Sequence, residues 1–177
     1  MRKIVYKGNF LEVSEESREG WDHPYERVKI RSGVKILPIK DDKILFIREY
    51  RVAEQETSIK LISGWMDKEG KSPIQIAKEE LAEEVGMKAE KWWEFHHMNT
   101  DNFTIENKVW YLVAENVEEL EVKPENPDHD IIEEVLWLTE EEFWEMADKK
   151  NINWFSDNFV AAMLYRELRK KKNETEK

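Results

Sequence analysis

Apolar residues in this chain recur at two spacings, and each switch of spacing marks a boundary between elements. Around residues 73–85 the period is helical: Ile74, Ala77, Leu81 and Val85 fall on one narrow stripe. Ser72 followed by Pro73 supplies an N-cap and a first-turn proline, and Gly86 supplies a left-handed stop, so a helix is predicted over 73–85. Strand-like segments are predicted over 3–13, 25–39, 44–51, 57–64, 88–98, 106–115 and 131–138, with Asp41-Asp42-Lys43 turning a hairpin. Residues 116–130 read as an acidic loop punctuated by Pro124 and Pro127. Thr139 then caps a helix that opens on Glu140-Glu141-Glu142 and ends near Lys149. A last helix is predicted over 157–171, with 170–177 a charged, fraying tail. Many strands with few helices give an α/β (α+β) fold, a mixed sheet sandwiched between helices.

Composition narrows the picture. The 177 residues form one domain, with residues 1–30 as an N-terminal strand region and 31–177 as the main fold. A chain this long buries roughly 70% of its unfolded surface without disulfides or structural metal. It has no cysteine, which excludes thiol catalysis and a Cys-based zinc site and points to a reducing cytoplasm. No signal peptide and no apolar run long enough to span a bilayer are expected. The net charge of −11 argues against binding a nucleic-acid backbone. Charged residues make up 38% of the chain, many of them Lys and Glu, a composition like the ion-pair-rich surfaces of thermophile proteins.

The chemistry concentrates on the first helix. Glu80, Glu83 and Glu84 stand at i, i+3 and i+4, the spacing at which helical side chains are neighbours. Carboxylates about 5–6 Å apart repel by roughly 3 kcal/mol at an effective dielectric of 20, and far less in open water. The cluster is therefore either a solvated acidic face or a cation site lining a cleft. Oxygen donors with no Cys or His nearby suit Mg²⁺ or Mn²⁺.

The run Glu80-Leu81-Ala82-Glu83-Glu84-Val85-Gly86-Met87, preceded by Gly64-Trp65-Met66-Asp67, resembles the signature of the Nudix hydrolases. Lys71 stands where that pattern has its first Glu, Glu79 where it has Arg, and one extra residue precedes Gly70. The two charge departures are reciprocal, which predicts that the supporting ion pair survives with its signs swapped. The hairpin ending Glu49-Tyr50-Arg51, the segment Phe103-Thr104-Ile105-Glu106 and the closing strand from Ile131 to Leu138 are similar to the ADP-ribose pyrophosphatase branch of that family. That branch carries a proline about fifteen residues past the signature, where this chain has Thr100, Asp101, Asn102 and Phe103.

The resemblance implies an α/β/α sandwich and Mg²⁺-dependent hydrolysis of the diphosphate linkage in a nucleoside diphosphate derivative, ADP-ribose first. Metal ligands would be Glu80, Glu83, Glu84 and a main-chain oxygen at Gly64, with Glu83 also counted as catalytic. The general base then lies outside the helix: Glu106 first, then Glu133 or Glu134, with His96 and His97 as alternatives. On a strand, such a His pair should point one ring to each face. Arg51 ends a core strand beside the Gly loop and is the phosphate-binding candidate, while Arg48 reads as its salt-bridging neighbour. Trp65 and Phe103 are candidates for stacking on a base or ribose. Tyr6 and Phe10 lie in a segment that the branch uses for dimer exchange and adenine stacking, so a homodimer is expected. Other substrates (a GDP- or UDP-sugar, a dinucleoside polyphosphate, a damaged nucleotide) and a non-catalytic ligand sensor are the alternatives.

Overall fold

The structure is a computed structural model that describes residues 2–51, 55–99, 104–126, 131–149 and 155–175. Strands β1 (Arg2–Lys7), β2 (Leu11–Glu16) and β3 (Tyr25–Ile30) form an antiparallel meander. The single strand expected over 3–13 is thus a hairpin, closed where the Gly8 N–H donates to the Leu11 carbonyl at 2.9 Å. The strand expected over 25–39 is likewise two: β3 stays in the small sheet, and β4 (Gly33–Lys40) enters the large one.

A tight turn joins β4 to β5 (Lys43–Arg51). Asp41 and Asp42 both take positive φ there, 50° and 60°, as the twist-matched two-residue hairpin turn requires. Pairing between β4 and β5 reaches only Ile39↔Ile44, after which the two strands diverge. The next segment fills the wedge as two short strands, β6 (Glu56–Lys60) on β5 and β7 (Ile62–Trp65) on β4. Leu61 sits at the fork.

Helix α1 (Pro73–Val85) follows, then β8 (Met87–Asn99), the short β9 (Ile105–Glu106) and β10 (Lys108–Glu119). The chain closes with β11 (Ile132–Leu138), α2 (Glu140–Asp148) and α3 (Phe155–Thr175). The charged residues after 170 stay helical up to Thr175, and a Glu167–Lys170 pair at 2.7 Å lies in the turn just before them.

The large sheet runs β11-β5-β4-β10-β8, and the small one β1-β2-β3-β9. Parallel β4/β10 and β3/β9 pairs make both sheets mixed. Side-chain alternation on the large sheet builds two cores. Leu37, Ile44, Phe46, Tyr111 and Val113 meet α2 and α3 through Phe143, Val160, Ala161, Leu164 and Tyr165. Val34, Ile36, Leu45, Ile47, Leu112 and Ala114 meet α1 through Ile76, Ala77 and Leu81. The outcome is the expected α/β/α sandwich. No described helix is long and apolar enough to cross a membrane.

Candidate active site

The first helix is fixed at both ends by its own sequence. Ser72 Oγ accepts from the Gln75 N–H at 3.3 Å, while Gln75 Oε1 accepts from the Ser72 N–H at 2.8 Å, a complete capping box. Gly86, at φ 68°, ends the helix in the left-handed conformation. Lys123 Nζ donates to the Glu84 carbonyl at 2.8 Å, so a cation from a distant loop meets the negative helix terminus.

The reversed ion pair is present. Glu79 receives Lys71 Nζ and, at 2.7 Å, Lys68 Nζ. These two ammonium groups, Lys68 foremost, hold its carboxyl below the usual carboxylate range. Lys68 lies in the loop between Gly64 and the helix, so the pair ties that loop to the helix start.

Helix α1 packs with Ile76, Ala77, Glu80, Leu81 and Glu84 buried, while Ile74 and Val85 are only partly covered. The helix is rolled toward its acidic side relative to the apolar stripe, so Glu80 and Glu84 leave solvent with 8% and 2% exposure. Room for Glu80 comes from Gly64: a Cβ there would collide with the Glu80 carboxylate. Glu83 is more open, with Lys68 Nζ at 4.0 Å. Among the described residues no three acidic or histidine side chains converge into a ready metal cage. The donor set is nonetheless all oxygen and sits against a glycine that leaves space for it, which fits a hard divalent cation.

Arg51 ends β5 half-buried, and its Nη1 donates to Glu49 Oε1 at 2.9 Å. Glu49 is itself buried and takes Lys60 Nζ at 2.5 Å. Arg48 faces outward to Glu134 at 2.9 Å, the salt-bridging place expected for it. Trp65 ends β7 largely exposed, its ring centroid 6.3 Å from that of Phe10. Arg31 lies over the Phe10 ring at 5.2 Å and reaches Asp67 at 3.7 Å. The structure therefore joins the N-terminal hairpin to the Gly loop through two aromatic rings and an arginine. Phe103, together with Thr100, Asp101 and Asn102, lies outside the described residues.

Glu106 sits on β9 with Lys29 at 3.5 Å and Arg27 at 3.8 Å. It lines a cleft of about 380 Å³ with Lys29, Ser32, Asn99, Asn107 and Lys108. Ser32 connects that cleft to the Gly loop, its carbonyl accepting from the Met66 N–H at 2.9 Å. Glu133 is exposed on β11, accepting from Thr57 Oγ1 at 3.2 Å. Glu133 and Glu134 lie on β11, whose Ile132 and Trp137 pack against the core that α1 shares. The two histidines depart from simple alternation. A register shift between Glu94 and His96 breaks it, and the rings lie 6.3 Å apart, inclined by 18°, with His97 bound to Glu94.

Sequence reasoning missed the buried charges at the fork: Lys35, Glu49, Lys60 and Asp157. A signal for three of them was there, since each is a charge inside an apolar strand run. Asp157, at the start of the last helix, carried none.

The NUDIX domain family matches residues 29–163. An ADP-ribose pyrophosphatase of Bacillus subtilis (strain 168) is 26% identical over 155 residues, covering 85% of this chain and 83% of that protein. The ADP compounds hydrolase NudE of Escherichia coli (strain K12) is 38% identical over 79 residues, covering 44% of this chain and 42% of its own. A crystal structure of an ADP compounds hydrolase superposes with a TM-score of 0.77 at 23% identity, covering 97% of this chain and 93% of that one, a likeness of fold. Signature helix, sandwich and a family match over most of the length agree: the chain belongs to the Nudix hydrolase family.

Proposed function

We propose that this chain hydrolyses the diphosphate linkage of a nucleoside diphosphate derivative, ADP-ribose before others, using Mg²⁺ or Mn²⁺. The observation that carries this reading is the burial of Glu80 and Glu84 on the Gly64 side of α1. Buried carboxylates on adjoining turns are costly in isolation and become favourable around a cation. Glu80, Glu83, Glu84 and a main-chain oxygen at Gly64 would hold the ion. When bound it would neutralise the diphosphate and acidify a coordinated water.

The chain's own groups divide the remaining work. Arg51, oriented by Glu49, presents paired donors to a phosphate. Glu106 stands in the cleft beside the Gly loop and takes the proton of the attacking water, with Glu133 the alternative base. Trp65 and Phe103 contact the base or ribose. Water oxygen bonds to one phosphorus, the bridging P–O bond breaks, and ADP-ribose yields AMP and ribose 5-phosphate. The substrate preference draws on the two relatives, whose names specify ADP-ribose and ADP compounds.

The active unit in this reading is a cytoplasmic homodimer. All six residues of β1 are exposed, and Ile4, Val5 and Tyr6 leave an apolar sheet edge that asks for cover.

The test is Mg²⁺-dependent turnover across ADP-ribose, GDP- and UDP-sugars, dinucleoside polyphosphates and nucleoside triphosphates, with Glu83→Gln alongside. ADP-ribose cleavage that needs metal and falls at least 100-fold in the variant is expected, since phosphoryl transfer relies on charge stabilisation. Turnover of another panel member keeps the chemistry and moves the substrate. Silence across the panel with no Mg²⁺ binding leaves a Nudix-fold ligand sensor.

A further inference from the structure

The fork in the large sheet holds an ion pair that the chemistry above leaves unused. Lys35 is 8% exposed and Asp157 fully buried, and the Lys35 ammonium meets Asp157 Oδ1. Asp157 Oδ2 accepts from the Leu61 N–H at 3.0 Å. Leu61 is the residue between β6 and β7, where the chain leaves its β5 ladder and joins β4. A backbone N–H at such a break has no ladder carbonyl opposite it, and a buried one must still be satisfied. Asp157, from the first turn of α3, does this.

Lys35 contributes from the other side of the break. It stands opposite Ser63 in the β4–β7 ladder, and the next pair in that ladder is Val34↔Gly64. One carboxylate thus ties the strand that faces Gly64 to the backbone three residues before it. Gly64 in turn is the residue against which Glu80 packs. Burial pulls the Lys35 ammonium below its ordinary range, and the Asp157 charge opposes that pull.

We infer that Asp157 and Lys35 are positioning residues for the metal site: they pin the bend at Leu61 and so hold Gly64 at the depth Glu80 requires. The inference rests on the proposed role of Gly64 and Glu80 in cation binding. A pair serving stability alone is replaceable by apolar side chains of similar volume, often at no loss of stability. A pin is not, because the Leu61 N–H then loses its acceptor.

The test uses the full chain, with Asp157→Asn and the double variant Lys35→Met with Asp157→Leu. Three readouts are taken well below the melting temperature: Mg²⁺ affinity by calorimetry, amide hydrogen exchange over 61–65, and KM against kcat on whichever substrate turns over. The double variant, which leaves the Leu61 N–H without its acceptor, should exchange faster at 61–65 and bind Mg²⁺ about 10–100-fold more weakly, the range for losing a group that orients a ligand. Asp157→Asn, which keeps one amide oxygen, should shift both readouts the same way but less. If Asp157→Asn does not fold, the apolar double variant alone decides. Unchanged exchange over 61–65, or Mg²⁺ affinity within twofold of the parent despite faster exchange, would overturn the inference. A parent chain that binds no Mg²⁺ and turns nothing over defeats the proposed function instead, and exchange then judges the pin by itself.

Discussion

Gly64 shows how much one absent side chain arranges. Its neighbours in the ladder are ordinary strand residues, but the space its Cβ would fill is occupied by Glu80. Gly64→Ala should therefore displace Glu80, costing about 1–3 kcal/mol by overpacking. It should also weaken Mg²⁺ binding at least 10-fold, as calorimetric titration beside thermal unfolding would show. Glu79 makes a pH-dependent contribution of a different kind. Its carboxyl is held below the ordinary value of 4.5 by Lys68 and Lys71, so its ion pairs add stability above that pH. The contribution fades as pH falls from 4.5 through the folded-state value. The melting-temperature difference between the parent and Glu79→Gln should be constant from pH 6 to pH 8 and shrink progressively as pH falls below 4.5. A difference that persists in acid would mean Glu79 acts through packing.

At the scale of elements, the decisive unit is the loop and helix from Gly64 to Gly86. Its limits were legible in the sequence because capping is local chemistry: Ser72, Pro73 and Gly86 act on the backbone beside them. Ser72→Ala should cost about 1 kcal/mol. In a domain of this size that lowers the melting temperature by roughly 2–4 °C, measurable by calorimetry. The reciprocal pair Lys71–Glu79 was legible for the same reason, both partners lying within one loop and the helix it enters. The roll of the helix was not. The apolar stripe alone placed Glu80 and Glu84 beside the core, and only packing against β7 and β4 showed them buried. The strand expected over 57–64 split for a related reason, since two different partner strands claim its halves.

Across the whole molecule, the small sheet meets the large one where Phe10 packs near Trp65. The free edge of β1 marks the other side. Ile4→Lys with Tyr6→Lys should convert a dimer to a monomer in sedimentation velocity without lowering the melting temperature of the isolated chain. A parent that sediments as a monomer at micromolar concentration would remove the dimer from the proposal.

By itself the sequence determined the elements whose signals are local: the capped signature helix, the Asp41-Asp42 turn, the strand-rich sandwich and the three glutamates at metal-ligand spacing. It also carried the family, because spacing within one helix and its loop is a one-dimensional property. The tertiary structure decided which carboxylates are buried, that Gly64 makes room for Glu80, and that Lys35, Asp157, Lys60 and Glu49 gather at the fork. Those facts depend on the divergence of β4 from β5 and on where α3 lands, contacts between residues as far apart as Lys35 and Asp157. No local pattern encodes such contacts, because the groups that make them are brought together only when the sheet closes.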